Sequence, residues 1–208
     1  MRRLRVQVYA RDPEPGRTKT RLLPALGAEG ACRCYLCLLD ATLEQVAAAR
    51  PDEIEVWSDR EPRHDALGER ARKLGARLRV QRGPELGARM AESLEDALAD
   101  GVLPVLVGSD LPGLTAAHLA EAAAALRAGA DAVFAPAEDG GYGLVGLARP
   151  APELFRAVPW GTGEVMAVTR RRGEGLRLVE LDPVWDVDEP EDLKRLDGLP
   201  GFEACRRP

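Results

Sequence analysis

The 208-residue sequence predicts an α/β protein, a mostly parallel sheet with helices on both faces, and three observations predict it. Short, β-branched apolar runs recur along the chain. Stretches rich in Ala, Leu, Glu and Arg with helical spacing of apolar positions lie between them, and the two kinds alternate in order. Hydrophobic residues make up 45% of the chain, enough to bury one sizeable core, so a single domain over residues 1–208 is expected.

Val6–Ala10, Ile54–Trp57, Leu78–Val80, Val102–Val107 and Ala132–Ala135 read as buried strands, each bounded by charged residues, Gly or Pro. Ala28–Ala49, Asp65–Leu74, Leu86–Ala99 and Thr115–Ala128 read as the intervening helices. Beyond Ala135 the pattern changes to a Gly-rich segment at Gly140–Gly146, a stretch around Pro159-Trp160, a strand over Leu176–Leu181 and a short helix from Pro190. No linker or internal repeat interrupts the series.

The formal net charge of −5, with both signs mixed along the length, argues against a nucleic-acid partner and for a small-molecule one. The start, Met1-Arg-Arg-Leu-Arg, runs straight into a strand, and no run of about 18 apolar residues follows, so a cytoplasmic protein without a membrane partner is expected. Cys32, Cys34, Cys37 and Cys205 lack a paired CxxC frame and read as ordinary reduced thiols rather than zinc ligands. His64 and His118 lie in charged helical surroundings and read as surface residues.

Ligands of parallel sheets bind at the carboxyl ends of the strands, so the loops that follow strands carry the chemistry. After the first strand, Ala10–Leu22 combines Gly16 with Arg11, Arg17, Lys19 and Arg21; a glycine loop followed by cations suits a polyphosphate, and a basic surface loop is the alternative. It lacks Walker A spacing. In Gly108-Ser109-Asp110, a carboxylate ends an apolar strand, a position suited to Mg2+ or Mn2+; the alternative is a helix cap near Thr115. Asp139-Gly140-Gly141-Tyr142 offers a polar anchor, close backbone approach and a stacking surface, or simply a turn between strands. Asp186 and Asp188 point the same way in an extended segment and could complete a metal site with Asp110, while Asp188 could also cap the helix at Pro190. Trp160 could stack on a ligand or serve burial.

Pro15–Leu22, Glu85-Leu-Gly-Ala-Arg-Met90, Gly108–Pro112, Asp139–Gly146 and Asp186–Leu193, in this order, resemble the DUF2064 family of GT-A transferases. The resemblance implies a three-layer α/β/α, Rossmann-like nucleotide-diphospho-sugar transferase (GT-A) fold, related to molybdenum-cofactor and phospholactate guanylyltransferases. It implies a metal held by Asp110 and Asp188, and phosphates contacted by Lys19 and Arg21. It also adds Gly87, Arg89 and Ser109 to the nucleotide-binding candidates Arg11, Gly16 and Arg17. Gly143 stands where the family pattern has a second Tyr, and Gly161 where it has Ser, both in the expected acceptor region of Gly140, Gly141, Tyr142 and Trp160.

The activity expected on these grounds is metal-dependent transfer from a nucleotide-activated donor, a sugar moved from a nucleotide-sugar to a small-molecule acceptor. Asp110, Lys19 and Asp139 are the catalytic candidates, Asp139 orienting or deprotonating the acceptor. Two alternatives stay open: a nucleotidyltransferase joining an NTP to a phosphorylated small molecule, and a non-catalytic nucleotide-sugar binder. A monomer or homodimer is expected.

Overall fold

The computed structural model describes residues 1–206. Seven strands, β1 (Leu4–Ala10), β2 (Glu53–Ser58), β3 (Arg77–Val80), β4 (Leu103–Gly108), β5 (Ala132–Pro136), β6 (Tyr142–Leu147) and β7 (Leu178–Glu180), form one sheet in the order β3-β2-β1-β4-β6-β5-β7. All neighbours are parallel except β6, which runs antiparallel to both β4 and β5. Five α-helices cover the sheet: α1 (Leu23–Ala48), α2 (Ala66–Lys73), α3 (Leu86–Ala99), α4 (Ala116–Arg127) and α5 (Val165–Arg172).

Side chains alternate across each strand, and the alternation divides the core in two. From β1, Val6 and Val8 face α1, α2 and α4, where Tyr35, Leu39, Leu67 and Leu119 are buried beside them. Tyr9 faces the other way, toward Trp57, Met90 and Leu94 on the side of α3 and α5. Next to Tyr9 that second face is polar: buried Arg5 bonds Glu53 at 2.7 Å and Asp100 at 2.8 Å, and buried Glu55 accepts from the Trp57 indole at 2.9 Å. A third cluster packs the end of the chain onto α1, with Val187, Leu196, Phe202 and Cys205 against Leu26, Cys34 and Leu38.

Two elements escaped the sequence reading. The Gly-rich segment is not a loop throughout, because Tyr142–Leu147 is the buried strand β6. Its glycines answer to packing: a Cβ at Gly143 would lie 2.6 Å from Val184 Cγ2 and 2.9 Å from both Leu111 methyls. Helix α5 was missed because Val165, Val168 and Thr169 are β-branched and only eight residues are helical, with no side-chain cap. Smaller differences concern ends: the first helix starts at Leu23 with a kink at Gly27 (φ 66°), and the segment from Pro190 to Leu196 is a 3-10 helix.

Thr20–Ala48, which contains no unbroken run of about 18 apolar residues, is nevertheless long and apolar enough on average to cross a bilayer, a measure that the buried core helix of a folded domain also meets. Half of its most apolar window is buried against this protein's own core, which accounts for its hydropathy.

Candidate functional site

The sheet order reverses at β1: the chain goes outward through β2 and β3, then returns to place β4 on the other side of β1. A crevice opens outside the carboxyl ends at such a point. Here it is a cleft of about 700 Å³, within the ordinary range for small-molecule sites, reaching from Gln81 and Asp59 at one end to Asp139 and Asp188 at the other.

The loop after β1 is held by its own polar contacts. The Thr18 hydroxyl donates to Asp12 O at 3.2 Å and accepts from the Glu14 amide at 3.1 Å, while the Asp12 amide donates to Asp59 Oδ1 at 2.8 Å. The next residue, Lys19, takes a left-handed backbone (φ 51°), uncommon for a side chain with a Cβ. Its ammonium is thereby sent inward, where it donates to Asp110 Oδ2 at 2.6 Å and Asp188 Oδ1 at 3.4 Å. Arg21 bonds the other oxygen of Asp188. The Lys19 side chain is 6% exposed, and although burial works to lower its pKa, Asp110 and Asp188 raise it above the ordinary lysine value.

Asp110 lies two residues beyond the end of β4, and Thr115 with His118 caps α4, so the capping alternative for Asp110 fails. It fails for Asp188 too: Glu189 is the N-cap of the 3-10 helix, in a capping box with Asp192. Asp186 and Asp188 come from the tail segment that joins the sheet through the Ala137–Val184 bridge and the Val187 amide on Asp110 O at 3.3 Å. The Asp186 carboxyl is pushed up to about 6, by burial first and then by the charge of Asp110, with Asp139 and Asp188 adding to it and Lys19 opposing. Carboxylates this close repel one another, and hard oxygen donors in excess over cations fit Mg2+ or Mn2+ in donor chemistry. Among the described residues, no three His, Cys, Asp or Glu side chains are gathered as a ready-made metal cluster. The charge that holds the two carboxylates is the Lys19 ammonium.

The remaining candidates divide. Arg11, Arg89 and Ser109 line the cleft with Lys19, Arg21, Asp110, Asp139 and Asp188. Arg17 pairs outward with Glu14, and Gly16 (φ 79°) shapes the turn without lining the cleft. Gly87 lies under Trp160, where a Cβ would meet Phe155 O at 2.6 Å. Tyr142 sits edge-on between Phe134 and Trp160, and its hydroxyl and the Trp160 indole nitrogen are both buried without a hydrogen-bond partner. Burial raises the Tyr142 pKa far above the ordinary value. Gly140 (φ 87°) permits the turn at Asp139, where the Asp139 carboxylate accepts the Gly141 amide at 2.9 Å; a Cβ on Gly140 would overlap Gly163 O at 2.1 Å.

Sequence reasoning missed Asp59 and Gln81, although each follows a strand and the same search rule covered them. Tyr35 it could not have found. This aromatic in mid-helix looks like core, yet its buried hydroxyl accepts the Arg11 amide at 2.7 Å and bonds Ser109 Oγ at 3.1 Å, tying the ends of β1 and β4 together beneath the cleft.

These features define a nucleotide-diphospho-sugar transferase (GT-A) fold, as solved structures bear out. A protein from Desulfovibrio desulfuricans G20, provisionally assigned as a nucleotide-diphospho-sugar transferase, is 26% identical, with a TM-score of 0.85 over 99% of this chain and 95% of that one. A cytidylyltransferase from Leptospira borgpetersenii matches at 13% identity and TM-score 0.63, covering 99% of this chain and 91% of that one. Glucosyl-3-phosphoglycerate synthase from Mycobacterium tuberculosis, in complex with Mn2+, UDP and glucosyl-3-phosphoglycerate, matches at 15% and 0.53, covering 100% and 81%. No curated protein matches in sequence. The chain belongs to the DUF2064 family, described as uncharacterized protein conserved in bacteria, whose model matches residues 42–162, more than half of the chain. That segment carries Asp110 and Asp139 but neither the Lys19 loop nor Asp186 and Asp188.

Proposed function

We propose that this protein is a metal-dependent transferase that uses a nucleotide-activated donor and moves a sugar from a nucleotide-sugar to a small-molecule acceptor. The observation that carries the reading is the convergence of Lys19, Arg21, Asp110 and Asp188 at one end of a nucleotide-sized cleft. Asp110 and Asp188, with Asp186 beside them, would hold Mg2+ or Mn2+, which when bound supplies positive charge against the diphosphate. Lys19 and Arg21 would balance charge on the phosphate oxygens as the bond to the leaving group breaks. Arg11 and Arg89, which make no carboxylate ion pair among the described residues, add positive charge along the cleft wall. Asp139 stands exposed on the acceptor side, where its carboxylate can orient or deprotonate an incoming hydroxyl.

Nucleotidyl transfer is the second reading, favoured by one observation: the cation loop after β1 faces both carboxylates directly, as a grip on a triphosphate would require. Thermal unfolding in the presence of nucleoside triphosphates or nucleotide-sugars, with and without Mn2+, separates the readings, because a ligand that binds the native state raises the melting temperature. Mn2+-dependent stabilisation by a nucleotide-sugar, lost in Asp110→Ala, is the expected result. Stabilisation by a triphosphate alone transfers the assignment to nucleotidyl transfer, and no response to any of them refutes both.

A further inference from the structure

The acidic end of the cleft already contains a cation. The Lys19 ammonium is 2.6 Å from Asp110 Oδ2 and 3.4 Å from Asp188 Oδ1, and its side chain is 6% exposed, against 29% and 41% for the two carboxylates. A buried ammonium has given up its water, and these two oxygens compensate it. The same two carboxylates are the ones the transferase reading assigns to a divalent metal, so metal and ammonium compete for the same oxygens.

We propose that Lys19 is the resident counter-ion of Asp110 and Asp188 in the ligand-free protein, and that a divalent cation gains the pair only when a diphosphate draws the ammonium away. Lysine suits this exchange better than arginine, since it is a point charge on a flexible four-carbon stem that can swing between partners while its backbone stays fixed. The backbone is indeed fixed: Thr18 is buried and bonded on both sides, and the Leu22 amide closes the turn on Lys19 O at 2.9 Å. A diphosphate reaching the rim lined by Thr20, Arg21 and Ser109 brings the negative charge that the ammonium loses when it leaves the carboxylates. Metal and diphosphate therefore bind with positive coupling, and the metal alone binds poorly. Without Lys19, Asp110 loses the cation bonded to it and Asp188 keeps only Arg21, so a metal needs no diphosphate to enter.

This rests on the transferase reading, and the experiment is arranged to tell the two apart. Binding of Mn2+ alone is measured by electron paramagnetic resonance on the wild type, Lys19→Met, Lys19→Gln and Arg21→Met, each checked for folding by circular dichroism, and then repeated with inorganic pyrophosphate. Both Lys19 variants are expected to bind Mn2+ about 10-fold more tightly than the wild type, with Arg21→Met changing affinity much less. Pyrophosphate is expected to tighten Mn2+ binding in the wild type and to do so less in the Lys19 variants. Equal gains in Lys19→Met and Arg21→Met would reduce the effect to general surface charge and overturn the proposal, as would Lys19 variants that bind Mn2+ like the wild type. Adding Asp110→Asn to Lys19→Met identifies the site: loss of Mn2+ binding keeps the metal reading whatever Lys19 does, whereas unchanged binding refutes the metal reading itself.

Discussion

Tyr35→Phe removes one oxygen from beneath the cleft, and the structure fixes what that oxygen does. It accepts the Arg11 amide at 2.7 Å and bonds Ser109 Oγ at 3.1 Å, from a side chain 1% exposed on α1. Phenylalanine keeps the ring packing, so the loss is confined to polar contacts. Leaving a part-buried amide without an acceptor costs about 1–3 kcal/mol, and the hydroxyl pair contributes about 0.5–1.5 kcal/mol. The sum is bounded by the freedom of the loop after β1 to turn the Arg11 amide toward water, which sets the expected loss at about 2 kcal/mol. With a urea slope near 2 kcal/mol/M, the unfolding midpoint falls by about 1 M. Ser109→Ala is expected to cost about 1 kcal/mol, and the double variant less than the sum, because the two groups share one bond. A Tyr35→Phe midpoint within 0.2 M of the wild type, or strict additivity with Ser109→Ala, would mean that the hydroxyl does not tie β1 to β4.

Other expectations follow from single contacts. Gly143→Ala pushes a methyl against Val184 and Leu111 and should cost about 1–3 kcal/mol in urea unfolding, with Val184 displaced along with the segment that carries Asp186. Gly140→Ala combines a left-handed backbone with a 2.1 Å overlap on Gly163 O, and should lose more stability than Gly143→Ala in the same measurement. Glu53 bonds Arg5 and Arg77; burial opposes its ionisation, but these bonds outweigh burial and hold its pKa below the ordinary glutamate value of 4.5. A carboxyl lowered by folding adds stability above its unfolded pKa and loses it as pH falls through the folded one, so Glu53→Gln should flatten the pH dependence of stability below about pH 4.5. At neutral pH the same substitution leaves Asp100 as the one carboxylate at full bonding distance from the buried Arg5 among the described residues, and should cost about 1–3 kcal/mol by urea unfolding.

The alternation of apolar runs and helical stretches was enough to read β1 to β5 and α1 to α4 in order, because buried strands such as β1 and β4 leave a nearly continuous apolar signature, but β3, expected to be buried, is an edge strand with Arg77, Leu78 and Arg79 exposed. It failed at β6, where Gly143 and Gly146 are demanded by neighbours from Leu111, Val184 and Leu126, contacts made by residues distant in sequence. At the site, the rule that chemistry follows strands located Lys19, Asp110, Asp139 and Asp188, all of which line one cleft. Of the residues expected in the acceptor region, Tyr142 packs edge-on against Phe134 and Trp160, the burial that was the other reading of Trp160, since an aromatic after a glycine turn carries no mark of which way it faces. Nor could spacing alone tell that Lys19 would bond the two carboxylates, because that depends on the positive φ at Lys19 and on the tail passing Asp110.

The reversal of one strand accounts for the composition of the rim. Because β6 runs antiparallel to β5, the turn between them, with Asp139 and Gly140, stays at the carboxyl end of β5. A parallel β6 would have required a crossover returning to the opposite edge, and the turn would have been spent on that connection. The tail then uses what the reversal leaves open: Val184 bridges Ala137, the Val187 amide bonds Asp110 O, and Asp186 and Asp188 arrive between the ends of β4 and β5. Arg195 fixes the arrangement from outside, bonding both oxygens of Glu138 at 2.8 and 3.0 Å while its guanidinium lies 4.0 Å over the Trp185 ring. Four acidic side chains are thus held at one rim by backbone pairing and an outer ion pair. Burial first, and then the charge of Asp110, raise the pKa of Asp186, and Lys19 is the charge placed to oppose them.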